Sequence, residues 1–313
     1  MRRFATDPLG SKSFGAWLAL RVARAALLVA LVVPGACRAT PDHSQLDAAA
    51  ARAFVREQSL AVKQLSASVS MAIETEGFDG SLSGALLVEP PARLRLRASK
   101  FVQDLFDLVV TPDELDLFWF PDRQFFRRRL LSTSQRLEAN GPEAHGPEAF
   151  LARLDPRAMR LALAGFELPL AGEPSSLPAC DRVMEETFAR EGGDFVIRAR
   201  LAGGDLLVRH FDGVSLFLET VTLEAPDGAT LLRAKYDDYS PITEPAPAGE
   251  LAGDPQPADS PARELWFAGE MVLEDLALGV TFDLELDDVA VNEGIPPSAF
   301  TLAPPPGCEV REL

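Results

Sequence analysis

The residue types that carry most protein chemistry are thinly spread along this chain. Histidine occurs three times, as His43, His145 and His210, and cysteine three times, as Cys37, Cys180 and Cys308. Metal ligation or general-base work needs partners at defined spacing, and no histidine has them in the sequence. Each reads as a satisfied or solvent-facing side chain. The pairs Asp237-Asp238 and Asp287-Asp288 have the right type for acid and base work or for calcium. With 47 Asp and Glu in the chain, adjacent carboxylates at strand ends are expected on a solvated surface without any such role. Arg127-Arg128-Arg129 is the one compact basic cluster. It reads as a counterweight to nearby acids, or else as a contact for phosphate head groups. Nucleophile-elbow, zincin, phosphate-loop and dinucleotide-binding patterns are missing. No enzyme site can be assembled, and neither a cofactor nor a metal is expected. A net charge of -17 argues against nucleic acid as a partner.

The beginning of the chain is of another kind. Arg2, Arg3, Lys12, Arg21 and Arg24 precede the apolar run at residues 25–33, and Gly35 and Ala36 lead into Cys37. A basic region, a short apolar region and small residues before a cleavage point read as a secretory signal peptide over residues 1–36. The apolar run is too short to span a bilayer. Its removal takes away five basic residues and the single acid Asp7, leaving a strongly acidic body at residues 37–313. Gly35-Ala36-Cys37 resembles the lipobox of bacterial lipoproteins, with Pro34 where that pattern has leucine. The resemblance implies diacylglyceryl modification of Cys37 and an N-terminal lipid anchor. Arg38 follows, so the aspartate of the inner-membrane retention signal is missing and the outer membrane is the expected address. In an oxidising periplasm Cys180 and Cys308 are either a disulfide or two buried thiols; sequence supplies no distance to decide.

The rest must position whatever function the body has. An alanine-rich amphipathic helix is expected within residues 41–64, from the spacing of Leu46, Ala50 and Phe54. Leu65, Ala67, Val69, Met71 and Ile73 alternate with serines, which predicts a strand with one polar face. Asp79-Gly80 signals a hairpin turn into a second strand at residues 81–88. Residues 132–147 read as a loop, and residues 150–163 as a helix interrupted at Pro156. From residue 183 to 236, five short strands are separated by Gly192-Gly193, Gly203-Gly204, Asp212-Gly213 and Asp227-Gly228, an antiparallel meander. Residues 240–262 are proline-rich and read as a linker or excursion. Two more strands follow at residues 264–273 and 280–286. In the second, Val280, Phe282, Leu284 and Leu286 alternate with Thr281, Asp283, Glu285 and Asp287.

Residues 81–129 are the most informative stretch. Leu94, Leu96 and Ala98 alternate with Arg95 and Arg97, a strand with one wet face. Residues 115–120 differ, because Leu117 and Trp119 fall on one side and Phe118 and Phe120 on the other. Antiparallel sheets commonly have one solvated face. A strand apolar on both sides therefore lines something hydrophobic with its second face, either a covering helix or a ligand cavity.

In order, these pieces resemble the bacterial lipoprotein-carrier superfamily, the LolA/LolB-like proteins. The resemblance rests on the N-terminal helix followed by residues 65–71, on residues 84–97, on residues 115–121, and on the closing Phe300-Thr-Leu-Ala-Pro-Pro-Pro-Gly307. It implies a mainly β fold, a strongly curved, unclosed antiparallel half-barrel with helices on its concave side. The body would be one domain with insertions at residues 132–147 and 240–262. It further implies acyl chains of lipoproteins or lipids as ligands, a periplasmic carrier protein as a candidate partner, and membrane attachment through the N-terminal anchor. The expected cavity wall comprises Val69, Met71, Leu86, Leu96, Phe118, Phe120, Val280, Phe282 and Leu284. The family's membrane- or cargo-contacting loop falls at residues 99–107, where Phe101, Leu105 and Phe106 are the candidates. From another class, the same fold would serve as a packed envelope scaffold or sensor that binds a protein. Covering helices without a void would favour that reading.

Overall fold

The structure is a computed structural model, and it describes residues 40–75, 78–129, 156–164, 179–244, 264–276 and 279–312. The chain divides into two compact units, Met1–Pro41 and Asp42–Leu313; the second holds every element that follows. Expectations for the signal segment and Cys37, for His145, for the loop at 132–147 and for residues 150–155 lie outside the described residues.

Helix α1 (Ala48–Ala61) starts where the Asp47 carboxylate accepts a hydrogen bond from Ala50 N at 2.8 Å, a side-chain cap on otherwise unsatisfied donors. It turns Ala51 and Val55 into the core. Its end is held by Asn292, whose Nδ2 donates to Ala61 O and whose Oδ1 accepts from Lys63 N.

Six strands then run as an antiparallel meander: β1 (Leu65–Thr75), β2 (Phe78–Glu89), β3 (Arg93–Lys100), β4 (Gln103–Val110), β5 (Glu114–Trp119) and β6 (Gln124–Arg129). Strand β1 pairs with β2 along its whole length, out to Thr75 opposite Phe78. Asp79 and Gly80, expected to turn, are already in β2 opposite Glu74 and Ile73. Helix α2 (Pro156–Ala164) follows. The second meander is β7 (Val183–Glu191), β8 (Asp194–Leu201), β9 (Leu206–Phe211), β10 (Leu218–Glu224), β11 (Thr230–Thr243), β12 (Glu264–Asp275) and β13 (Val280–Val291), and β14 (Val310–Glu312) closes the chain. Strand β11 continues through Tyr239, Ser240 and Pro241 to Thr243, so the start of the expected proline-rich linker is paired strand.

These strands form one fourteen-stranded sheet in the order β14-β6-β5-β4-β3-β2-β1-β13-β12-β11-β10-β9-β8-β7. The two meanders lie side by side, joined where β1 pairs with β13, Met71 facing Leu284 and Ile73 facing Phe282. The pair β14–β6 is parallel and the others are antiparallel. The sheet is unclosed, since β14 and β7 are its two edges. Period-2 alternation sends one apolar row inward from every long strand, and those rows make a single buried core with α1 and α2.

The chain leaves β6 near one edge and re-enters the sheet at β7 on the other. Helix α2 is the described part of that connection, and it packs on the inner face. Met159, Leu161 and Ala162 are buried there, and Tyr236 of β11 donates its hydroxyl to Ala162 O at 2.6 Å. Opposite, the C-terminal segment returns over the outer face. Its 3-10 turn, Pro297–Phe300, packs against β3, where Arg95 donates to Ala299 O at 2.8 Å.

Candidate functional site

The inner face beneath α2 is lined by Val69, Leu86, Leu96, Leu273, Phe282 and Leu284, with Met159 of the helix set among them. Met71 and Val280 are inward and buried in the same core. Seven of the nine expected wall residues thus share one surface. Phe118 and Phe120 do not. The inward positions of β5 are Leu115, Leu117 and Trp119, and Phe118 lies on the other face, paired with Asp107 and Phe125. Phe120 follows the strand and stacks edge-on against Phe118 at 4.7 Å, with the Arg97 guanidinium over its ring. Arg127 lies over Phe125 in the same way, and two bidentate pairs flank these rings, Arg95–Asp107 and Arg127–Asp116. The outer face is therefore a capped aromatic layer and no wall of a cavity.

The space enclosed by these residues beneath Met159 measures about 10 Å³, room for about one water molecule and no acyl chain. A chain seated at this place must displace Met159 of α2.

What holds α2 is polar. Arg157 pairs with Asp181 and Asp205, and Arg160 Nη2 reaches Asp181 Oδ2 at 3.2 Å while its Nη1 donates to Thr111 O at 3.3 Å. Thr111 follows β4, and Asp181 precedes β7, ten positions further along the sheet. In a flat sheet that separation would be ~48 Å at about 4.8 Å per strand. One arginine touches both, so the sheet curves until its two horns meet at this rim. Burial alone would lower the Arg157 pKa, but the Asp181 and Asp205 carboxylates outweigh it and hold the guanidinium firmly charged. Burial likewise pushes the Tyr236 hydroxyl well above its ordinary range, so it stays a neutral donor to α2.

The loop expected at residues 99–107 is a tight hairpin. Lys100 pairs with Gln103, leaving Phe101 and Val102 as the tip, 89% and 97% exposed. Phe106 is an inward core residue of β4, stacked on Trp119 at 6.5 Å, and Leu105 packs half-buried against the core. Only Phe101 of the three candidates is presented to solvent, and Val102, missed in the sequence, joins it. Phe101 has φ 61°, at the position where two-residue hairpins favour glycine. Beside the tip, an outer-face groove of about 620 Å³ runs along Ser70, Ser81, Ser83 and Ser99 to Asp283 and Glu285.

Cys180 and Cys308 are both free thiols. Cys180 sits beside Asp181 and Gly203, and Cys308 donates to Arg123 O at the opposite edge of the sheet. Among the described residues, no group of three or more His, Cys, Asp and Glu is placed to hold a metal.

No protein-family model matches the chain. No curated protein matches it either. Solved structures resemble it. A domain assigned to outer membrane lipoprotein sorting, from Vibrio parahaemolyticus, shares 13% identity over 80% of this chain and 94% of its own, with a TM-score of 0.46. A DUF1329 family protein from Desulfovibrio piger shares 9% over 81% of this chain and 97% of its own, at 0.48. A LolA superfamily protein from Nitrosomonas europaea shares 11% over 80% of this chain and 97% of its own, at 0.44.

Proposed function

We propose that this chain is a cell-envelope lipoprotein, anchored through Cys37, that takes up an acyl chain in the hollow under α2 and acts as a lipid or lipoprotein carrier or acceptor. The observation that carries the reading is the continuous apolar inner face whose middle is covered by one short helix. Burying a chain there is worth roughly 0.8 kcal/mol per methylene, so binding needs no catalytic group. The helix is a removable cover because its rim fastening is made of ion pairs, while beneath it Met159 fills the space a chain would take. Phe101 and Val102, apolar and exposed, suit a first contact with membrane or cargo.

The filled interior favours a second reading, a packed scaffold that binds another protein. One measurement separates the two. Purified protein is examined for co-purifying lipid by mass spectrometry and titrated with a fluorescent fatty-acid probe. The carrier reading expects saturable probe binding, faster in Arg157→Gln/Arg160→Gln, where the helix is unfastened. Neither lipid nor probe binding in both proteins leaves the scaffold reading.

The hairpin tip yields a prediction of opposite signs. Phe101→Gly is expected to raise stability by about 0.5–1 kcal/mol, because glycine adopts the positive φ without strain. The same change should weaken association with phospholipid vesicles. Lower stability in urea, or unchanged vesicle binding, would count against the role given to the tip. For the anchor, Cys37→Ser should move the protein from the membrane to the soluble fraction.

A further inference from the structure

The groove beside the hairpin tip is walled by charges of both signs. Period-2 alternation turns Ser70 of β1 and Ser81 and Ser83 of β2 to the outer face, so two adjacent strands make a floor of small side chains. Longer ones stand on either side. On β13, Glu285 sits opposite Ser70, with Asp283 two residues before it on the same face. On β3, Ser99 pairs with Ser83 and leads to Lys100 and the Phe101–Val102 turn. The result is a trough of about 620 Å³ with carboxylates on one wall and an ammonium on the other. The two walls are three strand spacings apart, ~14 Å at about 4.8 Å per strand. The C-terminal segment lies at the far ends of these strands, held by Gln64 ahead of β1 and by Arg95 of β3. The trough lies at the near ends and opens at the tip, where Phe101 and Val102 are exposed.

We propose that this trough receives the head group of a zwitterionic phospholipid with a primary ammonium, a phosphoethanolamine, when the tip meets a bilayer. Lys100 takes the phosphate and the two β13 carboxylates take the ammonium, while Phe101 and Val102 lie against the acyl chains. Charge separates this head group from the alternatives. The chain's net charge of -17 is repelled by an anionic surface, and a phosphoglycerol head group brings no cation to Asp283 and Glu285. A quaternary ammonium has the charge but no N–H to donate, whereas a primary ammonium has three. This inference rests on the reading of the tip as a membrane contact.

The test is co-flotation of the Cys37→Ser protein, which carries no lipid of its own, with three kinds of vesicle. These are phosphatidylcholine alone, and phosphatidylcholine with an equal part of phosphatidylethanolamine or of phosphatidylglycerol. Solvated ion pairs to the ammonium predict binding to the ethanolamine vesicles roughly threefold to tenfold tighter than to phosphatidylcholine alone, with the glycerol vesicles bound most weakly. In Asp283→Asn/Glu285→Gln the ratio of ethanolamine to choline binding should fall to near one, which separates head-group recognition from the looser packing of ethanolamine lipids. Lys100→Gln should weaken binding to both zwitterionic vesicles, whose phosphate is the same. All three side chains are exposed, so these variants test binding and not folding. Equal binding to ethanolamine and choline vesicles, a ratio that survives the double variant, or tightest binding to the glycerol vesicles would overturn the assignment. Binding to none of the three would instead remove the membrane reading of the tip, and this inference with it.

Discussion

Replacing Asp181 with alanine is expected to lower the unfolding free energy by about 3–5 kcal/mol. The carboxylate is 1% exposed and accepts from both Arg157 and Arg160, the latter itself 4% exposed. Removing it leaves two guanidinium groups at a buried rim, with Asp205 still placed to meet Arg157 alone. Urea denaturation reads the loss as a lower midpoint at unchanged slope. The control is Arg157→Met/Arg160→Met/Asp181→Leu/Asp205→Leu, in which no charge of the clamp is left uncompensated. Replacing a whole buried ionic group with apolar residues is often neutral, so this variant should recover most of the loss. A cost below about 1 kcal/mol in Asp181→Ala would place the clamp among ordinary solvated pairs and remove it as the fastening of α2.

A second large effect is expected at Gly84. Its inward position on β2 faces Val69 on one side and Ala98 on the other. A Cβ built there would stand 1.9 Å from the Arg97 carbonyl oxygen, 2.9 Å from its carbon and 3.1 Å from Ala98 Cα. All three are backbone atoms of β3, so no side chain can swing aside. Two strands approach this closely only where glycine allows it. Gly84→Ala must therefore separate β2 from β3, and we expect a loss of about 3 kcal/mol or more, at the upper end of overpacking. Thermal unfolding measures it. A change under about 0.5 kcal/mol would mean the strands spread without cost and the curvature is set elsewhere.

The meanders were legible because alternation and turn residues are local signals. Val280, Phe282 and Leu284 share a face in the structure as in the pattern, and the glycine-bearing turns between β7 and β11 stand where they were expected. Phe118 was assigned to the wrong face because β5 is apolar on both. What decides its side is the outer-face layer it joins, beside Phe120 and opposite Asp107 and Phe125. Phe101 and Phe106 differ by one fact, the positive φ that makes Phe101 a turn residue, and no glycine or asparagine announced it. The clamp was missed for the opposite reason. Arg157, Arg160, Asp181 and Asp205 are ordinary residues of an acidic chain until curvature brings distant rims together.

The seam between β1 and β13 sets an order of events. Strand β1 begins at Leu65 and its partner β13 ends at Val291, with both meanders between them. Until β13 is made, β1 offers an unsatisfied edge, bearing Leu65, Val69, Met71 and Ile73 inward, to any other strand. Such edges are the sites where nascent β-proteins pair wrongly. Pairings this remote in sequence also form slowly. The first meander must therefore wait, half-built and adhesive, for the second. Its folding yield should depend on holdase chaperones more than its final stability would suggest.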